Sequence, residues 1–272
     1  MGERKMKKLV SIMAMGVLLM GLVACSGDKK ETKVEDSLAK IKESGTIILG
    51  TSADYPPYEF HNIENGKDEI VGIDIEIAKA VAEDLGVELQ IKDMSFDGLI
   101  AALNVGEMDF VMSGMASTPE REEAVDFSIP YNEQGQVLLV RTEDVEKYKS
   151  VEDLKGLTIG TQFGTTQEAY AKENFKDSEV KSIQDNNAVI MELKNKTYDV
   201  VFAAKIVAEK FASMQEGLVT VDIGAPNEPG YSAAVKKGNT ALVEEINKVI
   251  DKLKAEGKIE TWIDQYSQSA GE

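Results

Sequence analysis

The chain has 272 residues and a formal net charge of -18, with 30 Lys and Arg against 48 Asp and Glu. At 43% hydrophobic and 29% charged residues it has a globular composition, which excludes a collagenous, disordered or many-pass membrane chain. So acidic a surface repels nucleic acid and anionic lipid, and the single Cys and single His exclude an intramolecular disulfide, a Cys/His zinc site and any Cys–His dyad not built on Cys25.

Arg4, Lys5, Lys7 and Lys8 precede an apolar run from Leu9 to Val23. The run is too short and wrongly flanked for a stable spanning helix, and residues 1–24 read as a secretory signal peptide. The segment Leu22-Val23-Ala24-Cys25 resembles a bacterial lipobox, with cleavage before a Cys that then carries lipid. Residues 25–44 then form a polar tether, and the protein is held at the outer face of the cytoplasmic membrane.

Beyond the tether the pattern is β/α. Thr46-Ile47-Ile48-Leu49, ending in Gly50-Thr51, predicts a buried strand. Apolar residues at helical spacing predict a helix over Ile73 to Leu85, stopped by Gly86. Val87 to Ile91 alternates as a strand does, Leu99 to Leu103 is helical, and Met108 to Met112 is a buried strand. The second half repeats these parts. Leu157-Thr158-Ile159 runs into Gly160-Thr161, helices follow over Gln167 to Asn174 and Ala188 to Leu193, and Asp199 to Phe202 is a strand. Leu103–Gly114 aligns with Leu193–Ala204 at a constant offset of 90, which puts Asp109 and Asp199 at one point of the plan. Glu244 to Leu253 is a last amphipathic helix, and Trp262 reads as core. The expectation is an α/β protein of two facing lobes. Ligands of open α/β sheets bind beyond the carboxyl ends of strands, so the cleft positions are 51–55, 113–121, 161–167 and 203–205.

Several residues there suit a small charged ligand. Arg121, in Thr118-Pro119-Glu120-Arg121, has the planar fork that matches a carboxylate, though its position alone fits a solvated surface Arg equally well. Thr165, Thr166 and Gln167 open a helix whose free N–H groups favour an anion; an ordinary Thr cap is the competing reading. Tyr55 and Phe96 supply aromatic walls or core. Ser52, Asp54, Glu59 and Ser113 are polar groups that could receive an ammonium.

Gly72-Ile73-Asp74-Ile75-Glu76-Ile77 with Val81-Ala82 resembles the signature of the family 3 extracellular solute-binding proteins of ABC importers. So do Ser113-Gly114-Met115, Thr118-Pro119-Glu120-Arg121, Asp126-Phe127-Ser128-Ile129-Pro130-Tyr131, Asp153-Leu154-Lys155-Gly156, Gly164-Thr165-Thr166 and the Gly257 to Trp262 ending. The resemblance covers about residues 45–266. It implies a periplasmic-binding-protein type II-like fold, with lobe 1 at 45–134 and 229–272, lobe 2 at 135–228, and a two-strand hinge near 133–136 and 225–229. It implies a polar amino acid or a derivative as ligand, held by lobe closure, with the permease subunits of an ABC importer as partner. By the same resemblance Arg121 clamps the ligand carboxylate, Thr166 and the Gln167 N–H bind it from lobe 2, the Gly114 backbone assists, Tyr55 and Phe96 sandwich the side chain, and Ser113 touches the amine. Two positions depart from the family pattern. Ala204 stands where an Asp or Glu usually pairs with the ammonium, and Ala116 where Ser or Thr usually donates to the carboxylate. Asp54 and Glu59 are the expected substitutes for the missing acid. No enzyme activity, cofactor or metal is expected, and a monomer is. The alternative is an exported cyclohexadienyl dehydratase-like enzyme, acting on prephenate or arogenate on the same fold.

Overall fold

The computed structural model describes residues 37–268. The leader over 1–24, Cys25 and the tether up to residue 36 lie outside the described residues. The elements run α1 (Ser37–Ser44), β1 (Thr46–Thr51), β2 (Asp54–Tyr55), β3 (Glu59–Glu64), β4 (Lys67–Val71), α2 (Ile73–Leu85), β5 (Glu88–Asp93), α3 (Leu99–Val105), β6 (Phe110–Val111), α4 (Pro119–Ala124) and β7 (Val125–Phe127). The chain then crosses into β8 (Gln136–Arg141), β9 (Thr158–Gln162), α5 (Thr166–Asn174), β10 (Glu179–Ile183), α6 (Asn186–Lys194), β11 (Val200–Ala204), α7 (Lys205–Met214) and β12 (Leu218–Val221). It returns through β13 (Ala234–Lys236) to α8 (Thr240–Ala255) and α9 (Lys258–Gln268).

Two five-stranded sheets share one plan. The first has the order β5-β1-β6-β13-β7 and the second β10-β9-β11-β8-β12. In each, three strands are parallel, β5-β1-β6 and β10-β9-β11, and the fourth runs antiparallel beside them. That fourth strand, β13 or β8, is the one by which the chain enters the sheet from the other lobe. Two crossing segments, between β7 and β8 and between β12 and β13, therefore join the lobes. They are bonded to each other: Tyr231 N–H donates to Asn132 O at 2.8 Å, Tyr131 N–H to Tyr231 O at 2.8 Å, and Glu228 N–H to Gln134 O at 3.1 Å.

The repeat extends to side chains. Asp109 Oδ2 accepts the N–H of Ile48 at 2.8 Å, and Asp199 Oδ2 accepts the N–H of Thr158 at 2.8 Å. The residue before each Asp covers a glycine of the first strand. A Cβ at Gly50 would lie 2.0 Å from Met108 Sδ, and one at Gly160 would lie 2.3 Å from Tyr198 Cδ2. A side chain at either place would displace the one covering it, which accounts for the glycine in both strands.

The core of the first lobe forms where α2 packs on β1, α8 and α9. Ile47, Leu49, Ile73, Ile77 and Val81 are fully buried, as are Leu242, Ile246 and Ile250 of α8. Each such side chain contributes about 1.5–3 kcal/mol relative to exposure. Helix α2 has the expected span, and Gly86 closes it in the left-handed region with φ 71°, its N–H on the carbonyls of Ala82 and Glu83.

Beyond elements not expected from the sequence, such as α7 and β10, three differences have a clear physical cause. The end of the expected tether is helix α1, because Ile41 is buried with Leu38 packed beside it. The strand expected over Met108 to Met112 is only Phe110–Val111, because Met108 turns onto Gly50 and Asp109 spends its carboxylate on β1. A third, three-stranded sheet, β2-β3-β4, stands on the first lobe and was not anticipated.

Candidate functional site

The chain after β6 and the end of β9 meet between the lobes beside β2, in the manner of the strand-end rule, while the expected positions 51–54 and 203–205 do not line the site. These segments enclose a narrow, nearly filled cavity of about 10 Å³, room for about one water. Tyr55, Phe96, Ser113, Gly114, Arg121, Thr165, Thr166 and Gln167 line it, together with Ala116 and Gln162. Asp54 and Glu59 do not.

Arg121 stands on α4, a short helix begun by Pro119 and capped by the Thr118 hydroxyl, which accepts the Arg121 N–H at 3.3 Å. Its guanidinium donates to Ala116 O at 2.7 Å and, across the cleft, to Gly164 O at 2.9 Å. The Phe96 ring lies 5.2 Å beneath it, a cation–π contact. Burial lowers the Arg121 pKa, while the charge of Glu228 raises it. The cation bonds neutral carbonyls and an aromatic face and no carboxylate directly, although the charges of Glu228 and Glu120 already act on it, so its fork can still take an anion.

The facing wall is the start of α5. Thr165 caps it, accepting the Glu168 N–H at 3.2 Å and donating to Gln162 O at 2.8 Å. Thr166 Oγ1 donates to Glu228 Oε2 at 2.7 Å, and Gln167 Nε2 donates to the same oxygen at 2.9 Å. Glu228, on the second crossing segment, is 7% exposed. Its other oxygen accepts the Tyr231 hydroxyl at 2.7 Å. That commits the Tyr231 proton, so in the 2.9 Å contact between Tyr55 and Tyr231 the Tyr55 hydroxyl is the donor. Burial raises the Glu228 pKa, and the three donors and Arg121 pull it back. Glu228 falls within the hinge segment expected at 225–229, but nothing marks it as a site residue among 48 acids.

The two expected ammonium acceptors have other tasks. Glu59 is fully buried under the cleft floor, which corrects its assignment as a ligand residue. Its Oε1 accepts the Ser113 hydroxyl at 2.8 Å. Asp74 Oδ2 accepts the Gly114 N–H at 2.8 Å and the Tyr131 hydroxyl at 2.8 Å. Glu59 Oε2 and Asp74 Oδ1 are buried without a hydrogen-bond partner, and the two carboxyls are near enough to act on each other. Two acceptors so placed are relieved when one of them keeps its proton. Burial and the neighbouring charge push Glu59 well up, and burial takes Asp74 to about 7. The pair also claims the Ser113 hydroxyl and the Gly114 N–H, so these two line the cavity without presenting those donors to it. Gly114, with φ 50°, lies under the Tyr55 ring, where a Cβ would come within 2.5 Å of Cε1.

Asp54 lies at the cleft edge, 8% exposed. It accepts the Asn186 backbone N–H at 2.6 Å, and weaker contacts come from Ser52 Oγ at 3.2 Å, Asn186 Nδ2 at 3.4 Å and Gln162 Nε2 at 3.4 Å. It is a bridge between lobes. A second bridge runs from Gln184 Nε2 to the Asp97 carboxylate at 3.0 Å. With the Arg121–Gly164 contact, these hold the cleft closed. Among the described residues no group of three His, Cys, Asp or Glu is placed to hold a metal, and no helix is long and apolar enough to cross a membrane.

Comparison with known proteins follows the same lines. The model of the bacterial extracellular solute-binding proteins, family 3, matches residues 47–269. The arginine-binding extracellular protein ArtP of Bacillus subtilis is 33% identical over 94% of this chain and 96% of its own length. The crystal structure of AbpA, an amino acid ABC transporter substrate-binding protein from Streptococcus pneumoniae bound to L-arginine, superposes with a TM-score of 0.83 at 35% identity, over 86% of this chain and 99% of that one. The ancestral amino acid-binding protein AncCDT-1, described as a precursor of cyclohexadienyl dehydratase, gives a TM-score of 0.79 at 34% identity, over 85% and 100%.

Proposed function

The chain belongs to the bacterial extracellular solute-binding proteins, family 3, and from that membership we propose that it is the receptor of an ABC importer, binding a polar amino acid by lobe closure and anchored to the membrane by lipid on Cys25. The lobes are taken as 45–134 with 229–272, and 135–228. The observation that carries the reading is Arg121: a partly buried guanidinium between the lobes, bonded only to carbonyl oxygens, in a cleft that opening of the lobes would enlarge around it. Ligand carboxylate meets the fork of Arg121 in the open state. The start of α5 then swings in with Thr166, water leaves, and the closed form docks on the permease. The ligand favours closure by the difference in its affinity for the two states. No covalent step is involved. L-arginine heads the candidate ligands, because relatives over most of the chain are arginine binders by name.

The test is a thermal-shift panel of the twenty amino acids and cystine on the purified protein. A ligand at 100 times its Kd stabilises by about 2.7 kcal/mol, so a hit is a clear upward shift. No shift with any member sinks the amino-acid reading. The likeness to AncCDT-1 favours one second reading, a dehydratase using a buried cleft acid. Release of phenylpyruvate or phenylalanine from prephenate or arogenate would establish it.

A further inference from the structure

The cleft sets one partly buried cation, Arg121, against one buried carboxylate, Glu228, contributed by the hinge and not by either wall. We propose that Glu228 is the acceptor for the ligand's α-ammonium, so that the site selects zwitterions, carboxylate on Arg121 and ammonium on Glu228. This rests on the amino-acid reading above and sharpens it.

Three observations lead there. The first is reach. The Glu228 backbone is bonded to Gln134 on the segment leading into β8, while its carboxylate bonds Thr166 and Gln167 at the start of α5, directly after β9. In the order β9-β11-β8, that side chain has to pass over the carboxyl end of β11. The last residue of β11 is Ala204, paired with Gln136. Its methyl leaves the space that the Glu228 side chain crosses. A single carboxylate is thus delivered to the end of β11 from the hinge, and a longer acid at 204 would compete for the same place.

The second is capacity. A carboxylate offers about four lone-pair sites. Thr166, Gln167 and Tyr231 take three of them, so an N–H donor can still be accepted. Those three donors are neutral, and a buried carboxylate held by neutral donors gains from a cation placed against it. An ammonium arriving beside the cavity-lining Thr166 and Gln167 is such a cation.

The third is elimination. Asp54 already accepts a short N–H bond from Asn186 and weaker contacts from Ser52 and Gln162. Glu59 lies under the floor, bonded to Ser113 and set against Asp74. None of Asp54, Glu59 and Glu228 lines the cavity itself, but Glu228 alone is bonded directly to both Thr166 and Gln167, which do.

The test is titration calorimetry of L-arginine and des-amino-arginine, the same molecule without its α-amine, with L-glutamine and its des-amino form as a second pair. Wild type is expected to bind the amino acid of at least one pair more tightly than its des-amino form. E228Q is expected to bind that amino acid about 10- to 150-fold more weakly, with its des-amino form unchanged. Retained des-amino binding shows that the variant is folded. A204D added to E228Q returns an acid to the end of β11 and is expected to restore the preference for the amine. If E228Q keeps the wild-type preference, or if wild type takes des-amino forms as tightly as amino acids, the Glu228 assignment is overturned while a carboxylate receptor stands. If wild type binds neither form of either pair and no amino acid of the panel, the receptor reading and this inference fall together.

Discussion

Burial takes the Asp54 carboxyl from its ordinary 3.8 to about 6, although the Asn186 N–H pulls the other way. A carboxyl whose folded pKa is raised penalises the folded state once it ionises. The penalty is absent below about 3.8, grows as pH rises through that window, and is complete above about 6. The stability of wild type relative to D54N should therefore rise as pH falls from about 7 to 4, by at most about 3 kcal/mol. Urea melts of both proteins across that range measure it. A difference that stays flat, or that grows with pH, would show that Asp54 does not titrate as its burial requires. Asp54 also marks how far residues could be read in the sequence. Its presence in the cleft was legible from the strand-end rule, as was that of Arg121 and Thr166. Its partner was not, because Asn186 comes from the opposite lobe, 132 residues away. Glu228 was illegible for the same reason: only the folded hinge brings it to Thr166.

At the scale of elements, periodicity located α2, α3, α5, α6 and α8, and α2 matches its expected span, whereas α7, with Val207, Ala208 and Phe211 buried, was not among the expected elements. The β3–β4 hairpin was missed although Asn65-Gly66 stands at its turn, with φ 53° and 76°, a signal for a tight two-residue loop. Its strands are largely exposed and polar, so no buried alternation announced them. The duplicated strand device supplies a sharper test. Gly50 and Gly160 are covered by Met108 and Tyr198 at equivalent places. A methyl at Gly160 meets the buried ring of Tyr198, whereas one at Gly50 meets the flexible end of a thioether. G160A is expected to cost about 1–3 kcal/mol by overpacking, and G50A less, since Met adapts its shape. Equal losses in chemical melts would mean that backbone fit, and not the covering side chain, decides both sites.

For the whole molecule the question is what holds the lobes together. The bridges include Arg121 to Gly164, Asp54 to Asn186 and Gln162, and Asp97 to Gln184. A hydrogen bond contributes only about 0.5–1.5 kcal/mol net, more where a charge takes part. Closure through these contacts alone is thus a matter of a few kcal/mol, opposed by the freedom of the open hinge. Moving a population from mostly open to mostly closed takes about 5.5 kcal/mol of differential affinity. A ligand held by Arg121 on one wall and Thr166 on the other touches both walls only in the closed form, so its binding energy falls on that form. Small-angle scattering should therefore show the radius of gyration dropping when the tightest amino acid of the panel is added. R121A, which keeps the Asp54 and Asp97 bridges but loses the carboxylate fork, should show no drop at the same concentration. If R121A contracts as wild type does, the ligand closes the lobes without its carboxylate on Arg121, and the force that closes them lies in the bridges and the hinge.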